Sequence, residues 1–498
     1  MAGVIGKIRD RWAILVLIAI SSIGFVNLWT FPPFVDEAVH LWWVWRIIEA
    51  GDWLRPFGVG KPLEAWLAVP IVQLGGDALT EMRILHVVAG IVSTILVYLL
   101  ASRITTSGAA FVSGVLTAVC PFVVHLERLA LAEIYLCAAG LLTLLGVLRF
   151  CQTRTRGGAC LMGIGLVLAA FAKFPIGFVF MASLPASLIL LSKSGRAQLL
   201  EPKARLRWLV AYAPVVLLLC AVVGVATVRV WQGATPGFGL DLLGTQVQTA
   251  DRIATIAGNS VRVVGDLAIR LTWPVVGLIG TGIVFSLLRG SEYQRWVTIM
   301  GLAPLVGIVL VSGQLMSRYL LFAVPPLIVG AVCGWHSLLQ PRRALRAVAA
   351  FVLVAACVIL MGYQSALIVF KPTLARGLEG YVSGWTSGYG YPELARYLQS
   401  SPSSFALIYA FEVGTAMQLR SQLPGEWMPR VQQLQIVNGK YLAAEEAQAY
   451  LLTQSPTWLV TPYALDDRDA FVATHLRRRA GFSKPNSDVQ VTLYEVRR

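Results

Sequence analysis

Runs of roughly 17 to 25 apolar residues recur along this 498-residue chain. That length crosses about 30 Å of hydrocarbon as an α-helix. In lipid, only helices and closed barrels satisfy every backbone N–H and C=O, and long continuous apolar runs exclude a barrel. Charged residues make up 13% of the chain, against about 25% in soluble domains, and the mean hydropathy is +0.69. The expected fold class is an all-α polytopic membrane protein.

The charge distribution orients it. A formal net charge of +15 would suit a nucleic-acid binder, but the basic residues cluster in alternate short loops. Lys7, Arg9 and Arg11 precede the first span. Arg149, Arg154 and Arg156 follow the fourth. Lys193, Arg196, Lys203, Arg205 and Arg207 form the densest basic loop, and Arg342, Arg343 and Arg346 precede the last span. This is the positive-inside bias, so the excess reports topology and no nucleic-acid partner is expected. Alternation gives about eleven spans, near 12–30, 84–101, 108–124, 131–149, 158–172, 175–192, 208–228, 269–288, 296–314, 319–335 and 347–368. The N-terminus is expected in the cytoplasm of a multi-pass cell (inner or plasma) membrane protein. No small-residue cleavage site precedes Phe31, so the first span should stay as an anchor. The seven cysteines lie in or beside apolar spans, which argues against a disulfide framework.

Two domains are expected. Residues 1–370 form the membrane domain, with long outer loops at 31–83 and 229–268. The first loop holds Trp42, Trp43, Trp45, Trp53 and Trp66, and indoles favour the headgroup region, which predicts helices lying along the surface. The second includes the amphipathic stretch Gln246 to Val264. Residues 371–498 lack a span-length apolar run and read as a small extracytoplasmic α/β module. Its strands are expected at Phe405–Ala410, Thr457–Thr461 and Val489–Val496, and its helices at Ala443–Leu452 and Asp467–Arg478.

Chemistry-bearing residues gather on the outer side of this topology. Asp36 and Glu37 follow the first span, with His40 one helical turn on. Ionisable groups at the membrane edge are costly and mark function. Then come Gly51-Asp52-Trp53-Leu-Arg-Pro56 and Gly60-Lys61-Pro62-Leu63-Glu64. His125, Arg128 and Glu133 enter the fourth span, Lys173 lies in the turn Ala-Lys-Phe-Pro, and Arg318-Tyr319 opens the tenth. Lys61, Arg128, Lys173 and Arg318 beside a carboxylate pair suggest a phosphate clamp, because Arg grips phosphate oxygens bidentately and Lys acts as a point charge. Plainer roles stay open: Lys173 as a hairpin cap, Arg318 as a snorkelling cation, His125 as a packing histidine, and Glu133 as a partner for Arg128.

This ordered set resembles the GT-C membrane glycosyltransferases of the protein mannosyltransferase and aminoarabinose transferase (ArnT-like) type. The resemblance rests on Asp36-Glu37, the run ending at Pro56, Lys61-Pro62-Leu63 leading into Trp66-Leu67, Arg128…Glu133, Lys173-Phe-Pro-Ile-Gly177 and Arg318-Tyr319, and covers about residues 12–335. The tail Gly384-Trp-Thr-Ser-Gly-Tyr-Gly390 looks like that of bacterial relatives. The resemblance implies a sugar donor on polyprenyl phosphate and an acceptor hydroxyl on a lipid, glycan or protein. Asp36 matches the family's catalytic carboxylate, Lys61 its Lys-Pro, and Glu133 falls where an Asp is usual. Two departures stand out. Gly60 replaces the Glu that helps hold a metal in the aminoarabinose branch, and His40 takes a position often held by Tyr. No metal ligands are therefore assigned, and help from a divalent cation stays open.

The expected reaction is an inverting displacement with Asp36 as general base, Glu37 supporting it, and the cations stabilising the leaving phosphate. The rival of another class is a transporter or flippase of lipid-linked sugars, which predicts midplane charges and broken helices in repeated halves. A non-catalytic scaffold that binds the same lipid is a third reading.

Overall fold

The protein, seen in a computed structural model, is a multi-pass helical bundle carrying a C-terminal α/β module. The structure describes residues 2–173 except 55 and 57–59, then 252–311, 316–339 and 343–370, with isolated positions 187, 206 and 213. Beyond 370 it describes all but 385, 401–407, 411–412, 424–426, 428–429, 434–435, 438–439, 442–443, 454–457, 467–468 and 498. The expected spans 175–192 and 208–228 and the expected loop from 229 to 251 lie outside the described residues.

Helix α1 (Ala2–Ser21) ends nine residues earlier than expected. Two short 3₁₀ turns, Ser22–Phe25 and Leu28–Thr30, carry the chain on, and Asn27 takes φ 55° between them. Helices α2 (Val35–Ala50) and α3 (Pro62–Val72) make up the first long loop. Four spans follow the sequence reading closely: α4 (Ala78–Ser102), α7 (Glu133–Thr153), α11 (Glu292–Val311) and α13 (Arg343–Phe370). All four contain a segment long and apolar enough to cross a bilayer. The expected span 108–124 is instead two pieces, α5 (Ser107–Ala118) and α6 (Pro121–Glu127), bent by 54°. Pro121 causes the break, since it supplies no N–H to the preceding turn. The expected span 269–288 starts late. Helix α9 (Arg252–Leu271) and α10 (Trp273–Arg289) meet at 115°. The hinge residue Thr272 has φ 73°, and Pro274 forbids a continuous helix. Helices α8 (Arg156–Ala172) and α12 (Val324–Leu339) are shorter apolar helices.

The α7–α8 hairpin positions two of the charged side chains. A Cβ at Gly146, Gly158 or Gly165 would lie 2.3, 2.6 or 2.4 Å from the facing helix, so small residues let the two backbones touch. Antiparallel close packing brings the start of α7 beside the end of α8. Glu133 and Lys173 therefore share one end of the bundle.

In the C-terminal module a mixed five-stranded sheet has the order β2-β1-β5-β7-β6. Its strands are β1 (Ile408–Ala410), β2 (Val431–Gln433), β5 (Trp458–Thr461), β6 (Leu476–Ser483) and β7 (Gln490–Val496). A separate hairpin, β3 (Ile436–Val437) and β4 (Lys440–Tyr441), stands between β2 and β5 in sequence. The three expected strands are present in their described parts. The expected helix Asp467–Arg478 is corrected: the described helix runs only Ala470–His475, and β6 begins at Leu476. Arg477, Arg478 and Arg479 read as a solvated helix face. As an edge strand they keep their charges in water while β6 pairs antiparallel with β7.

Lys484 fastens this sheet to the preceding segment, donating to Gly384 O (3.1 Å) and Ser387 O (2.9 Å). Burial pushes its ammonium down to about 7 from 10.5. Between those values the unfolded chain holds a proton that the folded chain has released, so stability should rise with pH across that window and level off above it. Thermal midpoints from about pH 6 to 10 test this by the linkage argument. Wild type should show the upward slope and Lys484→Met should not.

Candidate active site

Helix α2 has two buried faces. Leu41, Trp43, Val44 and Ile47 pack on Ala65, Ala68 and Val69 of α3 and on Leu79 and Met82 of α4. Ala38 joins the core of the C-terminal module with Tyr391, Leu394 and Met417. Both surfaces fix the first turn of α2, where Asp36 and Glu37 stand side by side. Successive helical side chains diverge by about 100°, so the two carboxylates meet different surroundings.

Asp36 faces a cluster of charges. Its carboxylate, 31% exposed, pairs with Arg318. The Arg318 guanidinium also approaches Glu133 Oε1 at 3.6 Å. Glu133 Oε1 accepts from Lys173 Nζ at 2.6 Å. The Lys173 ammonium lies 4.3 Å from the ring centre of Tyr319, within cation–π range. Lys61 adds its charge to this group, acting on both Asp36 and Glu133. Burial raises the Asp36 carboxyl, but Arg318, Lys61 and His40 together outweigh it, and the group is held below its usual range. Burial lowers the Lys61 ammonium, which Glu133 and Asp36 only partly offset against Lys173 and Arg318. Three cations thus stand against two carboxylates, a surplus suited to an anion.

Behind Lys61 lies a buried relay. Lys61 Nζ is 3.2 Å from His40 Nε2, while His40 Nδ1 faces Glu64 Oε1 and Ala130 O, each at 3.0 Å. Two acceptors opposite Nδ1 place a proton there. His86 completes the chain, with Nε2 3.0 Å from the same Glu64 oxygen and Nδ1 2.7 Å from Met82 O. Burial raises the Glu64 carboxyl, yet the charge and hydrogen bonds of His40 and His86 pull it down to about 2. Trp43 stacks on His40 at 4.7 Å and fixes its plane.

Glu37, expected to share the chemistry with Asp36, is fully occupied elsewhere. Oε1 accepts from Arg83 Nε (2.8 Å) and Ala130 N (2.7 Å), and Oε2 from Arg83 Nη2 (2.7 Å) and Phe34 N (2.9 Å). It is 0% exposed. Arg83 also donates to Leu28 O and Phe31 O, both at 2.7 Å. Glu37 therefore locks three segments together. Arg128, expected in the phosphate clamp, instead caps the turn after α1, donating to the carbonyls of Gly24, Val26 and Asn27. His125 is 0% exposed and packs between Phe31 and Tyr381, at 5.9 and 4.5 Å between rings.

Arg83, His86 and Tyr381 escaped the sequence reading. The first two carried a signal, since an Arg and a His at the start of an apolar helix are costly unless partnered. Tyr381 carried none. It follows the last span by eleven residues and reaches the site by packing on Phe34 at 4.6 Å and on His125 at 4.5 Å.

The fold, a helical membrane bundle with a C-terminal α/β module, is of the GT-C type. The profile of the family described as dolichyl-phosphate-mannose-protein mannosyltransferase matches residues 56–225, the stretch holding Lys61, Glu133 and Lys173. Among solved structures, ArnT from Cupriavidus metallidurans in the apo state is similar with a TM-score of 0.63, 13% identity and 97% of each chain covered. The same protein bound to undecaprenyl phosphate gives 0.63, 14% and 97% of each. The oligosaccharyltransferase AglB from Archaeoglobus fulgidus, in complex with an inhibitory peptide and a dolichol-phosphate, gives 0.56 and 13%, covering 91% of this chain and 69% of that one. No curated protein matches by sequence. The fold is ArnT-like, and the resemblance drawn from the motifs holds at the level of fold.

Proposed function

We propose that this chain is an integral membrane glycosyltransferase. It moves a sugar from a polyprenyl-phosphate donor to an acceptor hydroxyl of a lipid, glycan or protein on the non-cytoplasmic face. The observation that carries this reading is the partly exposed Asp36 paired to Arg318 at the edge of a group with one excess positive charge. The mannosyltransferase profile supports it, as do relatives of the same fold that bind undecaprenyl phosphate and dolichol-phosphate.

The acceptor oxygen attacks the anomeric carbon from the side opposite the phosphate while Asp36 takes its proton. A C–O bond forms, the C–O bond to phosphate breaks, and its electron pair stays on the phosphate oxygen. The anomeric centre inverts. Lys61, Lys173 and Arg318 stabilise the charge that gathers there, and a fixed cation set is worth most in a site shielded from water. Arg318 passes from Asp36 to the donor phosphate, which frees the carboxylate for the acceptor. Glu133 spaces the cations and Tyr319 supports Lys173.

Among the described residues the donor set does not fit a divalent ion. Asp36 and Glu133 are each engaged by cationic side chains, Gly60 brings no carboxylate, and among the described residues no group of three or more His, Cys, Asp or Glu side chains is disposed around a metal. In this reading the three cations carry the phosphate charge.

The test is turnover in nanodiscs with polyprenyl-phosphate-linked hexoses and pentoses plus an envelope extract as acceptor. Release of free polyprenyl phosphate with label transferred to the extract is the expected result. Intact lipid-linked sugar crossing a vesicle bilayer without cleavage would overturn the reading in favour of a flippase.

A further inference from the structure

The C-terminal module builds the N-terminus of α2. Phe34 at its N-cap supplies no side-chain cap, and a helix start leaves backbone N–H groups without partners. Here the Val35 N–H donates to Thr386 O (3.1 Å). Gln418, 1% exposed on the helix Val413–Arg420, donates through Nε2 to the same Thr386 oxygen (2.9 Å) and to Pro33 O (3.0 Å). One amide therefore bridges the backbone that leads into Asp36 and the strap at Thr386. The fit is close: a Cβ at Gly388 would lie 2.3 Å from Pro33 O, and one at Gly414 would lie 2.0 Å from Val35 Cγ2. Lys484 then ties the Gly384–Ser387 strap to the sheet. Strap, amide and sheet form one continuous support under the first turn of α2.

We propose that Gln418 is a positioning residue for Asp36, and that the C-terminal module is a working part of the active site. Through Pro33 and Thr386 it sets the angle at which the Asp36 carboxylate meets Arg318 and the acceptor. This rests on the reading of Asp36 as base. Displacing a reacting group by about 1 Å from a remote substitution costs on the order of 10²-fold in rate.

The experiment compares Gln418→Met, Gln418→Asn, Asp36→Asn and the double variant Gln418→Met/Asp36→Asn in nanodiscs, with polyprenyl-phosphate-linked sugar as donor. Gln418→Met should lower kcat by about 10²-fold, as expected for a misplaced reacting group, with KM for the lipid donor little changed. Gln418→Asn, one methylene shorter and able to reach one carbonyl, should fall between. The acid limb of kcat/KM, which reports the free protein, should move to higher pH in Gln418→Met, because Asp36 faces Arg318, Lys61, Lys173, His40, Glu133 and Tyr381 and loses its tight hold on Arg318. The double variant should be no slower than Asp36→Asn alone, since residues acting through one group are not additive. Wild-type kcat in Gln418→Met overturns the proposal, as does an additive loss in the double variant. If Gln418→Met does not accumulate, wild-type kcat in Gln418→Asn overturns it equally. Wild-type kcat in Asp36→Asn removes the base reading instead, and the two failures are told apart by which single variant keeps its activity.

Discussion

Replacing Asp36 with asparagine should lower kcat by about 10²–10⁴-fold, the usual worth of a positioned general base, and leave donor binding intact or tighter. The amide keeps the shape of the side chain but cannot take the acceptor proton. Removing the negative charge beside Arg318 frees that guanidinium for the donor phosphate, which is why affinity should not fall. Asp36 is held below the ordinary carboxylate value of 3.8 by Arg318, Lys61 and His40 acting against burial. A base works in its ionised form, and kcat/KM reports the free protein, so wild-type kcat/KM should show no acid limb from this group above that value. Single-turnover release of labelled sugar, with donor binding measured on the same preparation, checks both halves. Turnover retained in Asp36→Asn would end the base assignment.

Replacing the neighbouring Glu37 should have an effect of another kind. Glu37→Ala leaves the Arg83 guanidinium buried without its carboxylate and removes the acceptor for Phe34 N and Ala130 N. Removing one member of a buried ion pair costs about 3–5 kcal/mol, a large fraction of the roughly 5–15 kcal/mol that holds a typical domain folded. The expected result is a large drop in thermal midpoint and poor accumulation in the membrane. Asp36→Asn, at a side chain 31% exposed, should melt like wild type. Equal melting of the two variants would contradict the structural role of Glu37.

The sequence carried the fold far. Apolar run length predicted α4, α7, α11 and α13 because lipid leaves an apolar segment of about 20 residues no other way to satisfy its backbone. It erred where a local residue broke a helix inside an apolar stretch: after Ser21, at Pro121, and at Thr272-Trp273-Pro274. Hydropathy averages over such breaks. The strand Leu476–Ser483 was missed because an edge strand exposes its arginines as a helix face would.

For the candidate site, residue type picked out Asp36, Lys61, Glu133, Lys173 and Arg318 before their meeting was visible. A charge beside an apolar span needs a partner or a purpose, and that constraint is local. Which of them meet is not local. Glu133 and Lys173 converge because glycines let α7 and α8 lie close, and Arg318 crosses 282 positions of chain to reach Asp36.

The sequence alone determined that the chain would be a helical membrane bundle with acids and bases at one rim, since the cost of an unsatisfied polar group in hydrocarbon allows little else. Only the tertiary structure decided which of two adjacent carboxylates stays partly exposed beside the cation cluster. A turn of about 100° between neighbouring helical side chains directs Glu37 onto buried Arg83 and leaves Asp36 facing Arg318, and no property of the dipeptide itself distinguishes them.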